Sequence, residues 1–501
     1  MDLVPSSDAR LSVARVRWLY LRALGLVFVL AFASLLSQLP ALLGPQGLSP
    51  ASALLEGVGQ VLPAPERYWR LPTLLWWLGA GEGALRGVGF AGLACGVLLA
   101  ANVAPRWALV GAWACYLSLT TVGDVFLGYQ WDVLLLETAL VSLPLAPGHL
   151  LPSGVSPAPP RGAILLPRLL LLRLMVMSGV VKLASGDPTW RDLTALQYHY
   201  WSQPLPNPVA WFANLLPPVL QRASAGGMLA LELGVPFLLF GPRPARLAAA
   251  GLLAALQLGI LATGNYGFFN LLTLVLCLCA LDDGVLARWR TGAPPPVAPV
   301  LPRRSVRLGA VALGLFAAAY AVLGLSMDVQ RFTGRPLPGL LDKAQEALSG
   351  FRSFNTYGLF AVMTTERREI LIEGSSEGQT WKEYLLPYRP GRLDEAPPFV
   401  APHQPRLDWQ MWFASLSTCR NNPWLIRLQE QLLRGDATAR HLFMEDPFPE
   451  TPPRFVRTRL FDYRFTDWDT WRATGHWWTR SEVGPYCPPL TLVNGRLQAV
   501  P

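Results

Sequence analysis

The chain has 501 residues, of which 52% are hydrophobic and only 15% are charged. Soluble globular proteins carry about 25% charged residues, so this composition excludes an ordinary soluble protein. The net charge of +9 comes mainly from arginine, yet the basic residues form no dense run with interleaved aromatic side chains, which argues against a nucleic-acid partner.

Nine apolar segments of helical length occupy residues 1–327 and predict an α-helical multi-pass membrane bundle, with the lipid bilayer as its first partner. The predicted spans are residues 18–39, 87–103, 107–122, 131–147, 163–185, 229–240, 245–262, 268–281 and 307–327. The first span is too long for a removable signal peptide, so we interpret it as a membrane helix.

Arginines in alternate loops predict the orientation of this bundle. With the N-terminal arm inside, the inner loops hold Arg106, Arg161, Arg243, Arg246 and a cluster between Arg288 and Arg304. This asymmetry follows the positive-inside rule and places residues 328–501 outside the cytoplasm. One helix added or missed near residues 50–80 or 225–281 would reverse that placement.

Charged side chains within or beside the predicted spans include Asp132, Glu137, Arg173, Lys182 and Glu232. A charge at the centre of a membrane helix costs about 2.5–3.5 kcal/mol on insertion scales, so these groups are expected to face the bundle interior. A structural ion pair such as Arg173–Glu137 explains them most simply, and a functional polar cavity is the alternative. Snorkelling towards the membrane surface would explain Lys182.

Residues 328–501 are polar, aromatic and rich in turns, which predicts a small α+β or β-sandwich domain. Strand-like runs at 369–373, 380–386 and 454–465 accompany helical segments at 340–348, 407–416 and 423–433. The tract from Gly374 to Gly378 matches the GxSxG pattern of hydrolases. Because strand-like runs flank it on both sides, we interpret it as a hairpin turn and not as a nucleophile elbow.

Several long sequence blocks resemble the lipase maturation factor family. They are GYQWDVLLLET (128–138), RLMVMSGVVKLASGDPTWRDLTALQYHY (173–200), NTYGLF (355–360), TTERREI (364–370), EGSSEGQTWKEY (373–384) and APHQPRLDWQMWF (401–413). The resemblance implies a multi-pass protein of the endoplasmic reticulum membrane, or of the inner membrane in a bacterium. It also implies a non-enzymatic folding role towards secreted lipases, with no cofactor and no metal.

The same resemblance implies that the extracytoplasmic domain binds client proteins. We expect exposed side chains in its signature blocks to contact the client. The candidates are Phe354, Asn355, Tyr357, Trp381, His403, Arg406, Asp408, Trp409 and Trp412. A structural or transport-like membrane protein without a client is a further alternative.

A second, shorter resemblance concerns SGVVKL (178–183) followed by Trp190, which is similar to the membrane region of vitamin-K-dependent carboxylases. In those enzymes the matching lysine is the catalytic base, so a membrane enzyme that uses Lys182 is the alternative function. His199 is interpreted as a packed residue.

The six cysteines divide between the two parts of the chain. Four lie in apolar segments and are expected to be buried thiols, whereas Cys419 and Cys487 are the only cysteines after residue 328. If that domain lies in an oxidising compartment, we expect the two to form a disulfide.

Overall fold

The computed structural model describes residues 13–151, 159–160, 162–286 and 303–500, which form a helical bundle and a smaller sheet-containing part. Part of the arginine asymmetry that predicts the orientation rests on Arg161, Arg288 and Arg290, which lie outside the described residues. One continuous hydrophobic core runs through both parts, from Tyr20 in the bundle to Leu490 in the last third of the chain.

The bundle contains seventeen α-helices among the described residues. In chain order they are α1 (Ala14–Leu36), α2 (Leu39–Leu43), α3 (Ala51–Val61), α4 (Glu66–Arg70), α5 (Leu75–Leu78), α6 (Glu82–Ala100), α7 (Pro105–Val122), α8 (Gln130–Ser142), α9 (Leu165–Ala184), α10 (Pro188–Arg191), α11 (Leu196–Ser202), α12 (Pro208–Asn214), α13 (Pro218–Leu233), α14 (Arg243–Thr263), α15 (Phe269–Leu278), α16 (Asp283–Leu286) and α17 (Arg303–Thr333). Short 3-10 helices lie at Asp124–Leu127, Leu143–Leu145 and Val235–Phe240.

Five helical segments of the described chain are long and apolar enough to cross a membrane. They are Ala14–Leu36, Glu82–Ala100, Pro218–Phe240, Arg243–Thr263 and Leu308–Thr333. The other four predicted spans coincide with α7, α8, α9 and α15, of which α8 has 13 residues and α15 has 10. The multi-pass helical character is therefore confirmed, and the count of nine crossings stays a prediction.

The sheet-containing part holds one five-stranded antiparallel sheet with helices packed on it. Its elements are α18 (Gly339–Ser349), β1 (Arg368–Ser375), β2 (Lys382–Tyr384), α19 (Arg406–Ser415), α20 (Pro423–Arg434), α21 (Ala437–Arg440), β3 (Phe455–Phe465), α22 (Trp468–Thr474), β4 (Trp478–Val493) and β5 (Arg496–Ala499), with a 3-10 helix at Cys419–Asn421. The strand order is β2-β1-β3-β4-β5, so this region is α+β and the β-sandwich alternative is wrong for the described residues.

Side chains alternate between the two faces of this sheet, as the period of a strand requires. Ile370 and Leu460 join the main core together with Leu428 of α20. Leu371 and Phe461 point to the other face and join a second cluster, which includes tryptophans of α11 and α12. Because each face contacts a different partner, the register of β1 and β3 is fixed by packing.

The expected division at residue 328 falls inside a helix. Helix α17 continues to Thr333, so Asp328 belongs to the bundle and not to a linker.

Cys419 and Cys487 form a disulfide with a Cα–Cα distance of 5.4 Å, which ties the 3-10 helix to β4. The free cysteines of the described chain, Cys95, Cys115, Cys277 and Cys279, lie in the bundle, and Cys95 is only partly buried.

Helices α1 and α6 approach each other closely because glycines lie in their contact. A Cβ on Gly25 would lie 2.5 Å from the backbone nitrogen of Ala100 and 2.9 Å from the carbonyl oxygen of Gly96. A Cβ on Gly92 would lie 2.1 Å from the ring of Phe32. Small residues let membrane helices gain packing contacts through close backbone approach.

We predict that Gly25→Ala lowers the stability of the protein by about 1–3 kcal/mol, because the added methyl group meets backbone atoms that no rotamer change can move. Thermal unfolding of the purified chain in detergent measures the effect. Gly87→Ala in α6 is the matched control, since a Cβ added there would have nothing within 4 Å, and it should not destabilise. Equal unfolding temperatures for the two variants would contradict the close-approach interpretation.

Candidate functional site

The sheet-containing part packs onto one end of the bundle through polar contacts of a loop and of the helix start that follows it. The backbone nitrogen of Gln404 donates to Ser34 Oγ at 2.8 Å, near the C-terminal end of α1. The backbone nitrogen of Arg406 donates to Gln38 Oε1 at 2.7 Å. His403 Nδ1 lies 2.9 Å from the same Ser34 hydroxyl. Residues 403–406 are therefore seated on the end of α1.

Arg406 extends this contact into the bundle and pairs with Asp132 in the first turn of α8. Its Nη1 and Nη2 each lie 2.8 Å from a different oxygen of the Asp132 carboxylate. Nη1 also donates to the carbonyl oxygen of Phe126 at 2.7 Å, and Tyr116 OH donates to Asp132. Both charged side chains are buried, so the bidentate pairing is what makes their burial tolerable.

Arg173 of α9 is the centre of a second buried cluster, and the predicted ion pair with Glu137 is present. Arg173 Nη1 lies 2.9 Å from Glu137 Oε1, and its Nε lies 2.6 Å from Asp328 Oδ2 of α17. Nη2 donates to the carbonyl oxygen of Asn355 at 2.6 Å. Tyr357 OH donates to Glu137 Oε2 at 2.7 Å. A single guanidinium thus joins three helices to the sheet-containing part.

Lys182 lies in the last turn of α9, and its Nζ donates to both carboxylate oxygens of Glu232, at 2.7 and 2.8 Å. The lysine is only 5% exposed, so the snorkelling expectation is wrong. The pair borders a cavity of about 80 Å³, which is room for a few water molecules. Nζ thus donates to a carboxylate on one side and faces the Trp190 ring on the other, 5.4 Å from the ring centroid.

His199 lines the same cavity and is held as a neutral imidazole. Gln203 Oε1 accepts the hydroxyl proton of Tyr266 at 2.6 Å, so the tyrosine oxygen must accept from His199 Nε2, 3.0 Å away. Burial and the nearby Lys182 charge lower the pKa of His199 to about 4. The arrangement agrees with the interpretation of His199 as a packed residue.

Most of the predicted client-binding aromatics are buried against the bundle, which corrects the expectation that they are exposed. Tyr357 is 0% exposed, Trp409 is 3% exposed and Trp412 is 5% exposed. Trp409 packs edge-on against Trp131 of α8 at 4.7 Å between ring centroids, and Trp412 Nε1 donates to Ser202 O at 2.9 Å. These side chains hold the bundle and the sheet together, so they are not accessible to a client.

Most of the remaining candidates are also buried or half-buried. Asp408 is buried, and Phe354, Asn355 and His403 are half-buried at the junction with the bundle. Trp381 stands apart because it is partly exposed at the edge of the sheet, where the guanidinium of Arg457 lies 3.9 Å above its ring. Trp381 is therefore the one tryptophan among the candidates that retains an accessible face.

A third buried cluster was not predicted and centres on Glu369 of β1. Arg367 Nη2 lies 2.7 Å from Glu369 Oε1, and Arg389 contacts the other oxygen. Arg367 also donates to the carbonyl oxygens of Trp201 and Pro204, at 3.0 and 2.9 Å. The available signal was the run of charged residues in TTERREI, which a strand with one solvated face would also show.

Among the described residues there is neither a metal-ligand group nor a nucleophile elbow. They contain no group of three or more His, Cys, Asp or Glu side chains placed to hold a metal ion. The GxSxG tract connects β1 and β2, which pair as an antiparallel hairpin with Gly374 opposite Lys382. Ser375 Oγ accepts from the backbone nitrogen of Gly378 at 2.9 Å, so the predicted turn is confirmed.

Comparisons with known proteins match both the bundle and the sheet-containing part. A family model described as the lipase maturation factor transmembrane domain matches residues 15–288, and another described as the lipase maturation factor C-terminal domain matches residues 353–488. Lipase maturation factor 2 of Homo sapiens is 35% identical over 97% of this chain and 84% of its own length. Lipase maturation factor 1 of Bos taurus is 32% identical over 95% and 89%. No solved structure matches the chain.

The buried carboxyl group of Asp408 makes the stability of the fold depend on pH. Burial raises the pKa of Asp408 to about 7, although the backbone nitrogen of Tyr388 donates to the carboxyl group. Between pH 4 and 7 the folded state therefore holds more protons than the unfolded state, and stability falls as the pH rises through this window. We predict that Asp408→Asn removes this loss, so that the stability of the variant relative to the parent rises by roughly 2.5 kcal/mol between pH 5 and pH 8.

Unfolding temperatures of parent and variant, recorded at both pH values, measure this difference. Asp394→Asn is the control, because Asp394 is exposed in the same region of the chain. Parallel pH profiles for the parent and the Asp408 variant would show that the carboxyl group is ionised in the folded protein.

Proposed function

The chain belongs to the lipase maturation factor family, and on that premise we propose that it is a membrane-embedded folding factor for secreted lipases. The observation that carries the proposal is the match of both family domains in one chain, in the same order as the bundle and the sheet-containing part. The curated relatives carry the name of a maturation factor and not of an enzyme.

We propose that the sheet-containing part lies on the extracytoplasmic side, lumenal in a eukaryote and periplasmic in a bacterium. It packs where α1 ends, whereas Arg243 and Arg246 lie at the other end of the bundle, paired with Asp282. Asp283, the next residue, caps the N-terminus of α1. The disulfide between the 3-10 helix and β4 supports the same placement, because disulfides persist in oxidising compartments.

We propose that the client contacts the outer surface of the sheet-containing part and that Trp381 belongs to this contact. Its ring is accessible beside β2, and Arg457, which stacks on it, is also paired with Glu373 at 2.6 Å. Aromatic and arginine side chains dominate the binding energy of protein interfaces. In this proposal the buried Trp409 and Trp412 affect client binding only because they stabilise the fold.

The alternative is a membrane enzyme in which Lys182 acts as a base. Truncating one partner of a buried ion pair costs about 3–5 kcal/mol, because the other charge is left alone. Loss of activity in Lys182→Met would therefore not distinguish catalysis from misfolding. Replacing both Lys182 and Glu232 removes the pair without leaving a buried charge, and such exchanges are often close to neutral.

We predict that Lys182→Met destabilises the protein and that the double variant Lys182→Met/Glu232→Met recovers stability and matures the client within a few-fold of the parent. The measurement co-expresses a secreted lipase with each variant and records secreted lipase activity per lipase molecule, together with the level and unfolding temperature of the variant. A stable double variant without maturation activity would favour the enzyme, since loss of a general base removes about 10²–10⁴-fold of the rate.

For client binding we predict that Trp381→Ala leaves the unfolding temperature nearly unchanged and weakens lipase maturation and co-purification. Truncation of a central interface aromatic typically costs about 2 kcal/mol or more, roughly thirtyfold in affinity. Trp409→Ala is the contrasting variant, because its side chain is buried and its loss must lower stability. Normal lipase co-purification with Trp381→Ala would exclude this residue from the client contact.

The topology is tested by fusions to alkaline phosphatase, which is active only outside the cytoplasm. We expect an active enzyme when it follows residue 501 and an inactive enzyme when it is inserted after residue 292. The reverse pattern would place the sheet-containing part in the cytoplasm and would require either an even number of crossings or an N-terminal arm outside the cytoplasm.

A further inference from the structure

Helix α14 locates the sheet-containing part relative to the bilayer. We call the end of the bundle on which that part packs the outer end. Helix α14 has 21 residues and is therefore about 30 Å long, which is the thickness of the hydrocarbon core. It begins at Arg243, which is paired with Asp282 at the inner end, and it ends at Thr263. Groups that contact the last residues of α14 therefore lie at the depth of the lipid headgroups.

A loop of the sheet-containing part is fixed at this depth by Asn265, two residues beyond the end of α14. Asn265 Nδ2 donates to the carbonyl oxygen of Pro398 at 3.0 Å, and its Oδ1 accepts from the backbone nitrogen of Val400 at 2.8 Å. Phe399, which lies between these two residues, is 66% exposed. A large apolar side chain thus stands exposed beside the outer end of a membrane span.

A second contact at the same depth is made of tryptophans. Asn207 Nδ2 donates to the carbonyl oxygen of Ala262 at 3.1 Å and so holds the start of α12 against the end of α14. Trp211 of α12 packs against Trp468 and Trp471 of α22, with ring centroids 6.0 and 5.7 Å apart. Trp468 nevertheless keeps 45% of its surface exposed.

A third contact lies at the outer end of α9. Asp187, three residues beyond this helix, accepts a hydrogen bond from the backbone nitrogen of Met363. The neighbouring Val362 is 66% exposed, and Leu183 in the last turn of α9 is 42% exposed. Three separate segments of the sheet-containing part therefore place an exposed apolar side chain where a helix of the bundle ends.

The spans directly below these side chains present their own apolar residues to lipid. Only 28% of the apolar window of Pro218–Phe240 is buried, and 22% of that of α14. Val219 and Leu220, in the first turn of α13, are 70% and 50% exposed, and Leu258 of α14 is 54% exposed. The exposed side chains of the sheet-containing part thus continue the lipid-facing surface of the bundle.

We propose that Val362, Phe399 and Trp468 form a membrane-contact rim, which lies in the interfacial layer of the bilayer. Tryptophan is enriched at the membrane–water interface, and phenylalanine is typical of segments that lie in it. A partner from the aqueous phase would have to displace lipid to reach side chains at this depth, so lipid is the occupant. The contact is the same on either side of the membrane and is independent of the proposed client.

Photocross-linking of the full chain in phosphatidylcholine nanodiscs tests the rim. A diazirine amino acid replaces one residue at a time, and the mass of the irradiated chain reports phospholipid adducts. We expect adducts from positions 399 and 468 at yields close to that from position 219, in the first turn of α13. Position 376, in the polar turn between β1 and β2, is the control, because Ser376 is exposed and the proposal leaves it in water. Its yield should be several-fold lower.

The unfolding temperature of each variant shows whether the fold is kept. If the probe at position 468 disturbs its packing on Trp211, positions 399 and 362 decide, because side chains that are 66% exposed can be exchanged with little loss of packing. Adduct yields at these positions as low as at position 376, in variants as stable as the parent, would overturn the proposal. Adducts with a co-expressed lipase in place of lipid, in native membranes, would also overturn it.

Discussion

The guanidinium of Arg173 is the interaction on which the rest of the structure depends. A charge buried in a bundle is tolerated only when opposite charge and hydrogen-bond partners surround it. Here those partners come from α8 (Glu137), from α17 (Asp328) and from the sheet-containing part (the carbonyl oxygen of Asn355). The ion pairs and hydrogen bonds of this one side chain therefore hold three separate segments of the chain in position.

The same solution recurs at Arg406 and at Arg367, where a charge from the sheet-containing part is neutralised or hydrogen-bonded by groups of the bundle. Together with the continuous hydrophobic core, these contacts join the two regions into a single structural unit. In the proposed function, the bundle is thus more than an anchor. The bundle supports the sheet-containing part, whose outer surface contacts the client in that proposal.

The sequence predicted the long helices, three of the five strands, the hairpin turn and the Arg173–Glu137 pair, because periodicity and the cost of buried charge are local or pairwise signals. It missed β4, the longest strand, and β5. It did not predict the burial of Tyr357 and Trp409, since an aromatic residue in a polar stretch has the same pattern whether it faces a client or a neighbouring helix. The expectation for Lys182 was wrong for a related reason. Its partner Glu232 lies 50 positions away, and nothing local identifies it.

The Arg173 cluster also sets an order of events during synthesis. Glu137 is synthesised before its last partner exists, because Tyr357 follows it by 220 positions. At 5–20 residues per second the ribosome needs about 10–40 seconds to reach that point. Until then the nascent bundle holds these polar groups without their final neighbours. A chain that terminates before residue 355 lacks both Asn355 and Tyr357, so Arg173 and Glu137 keep buried polar atoms without their native partners.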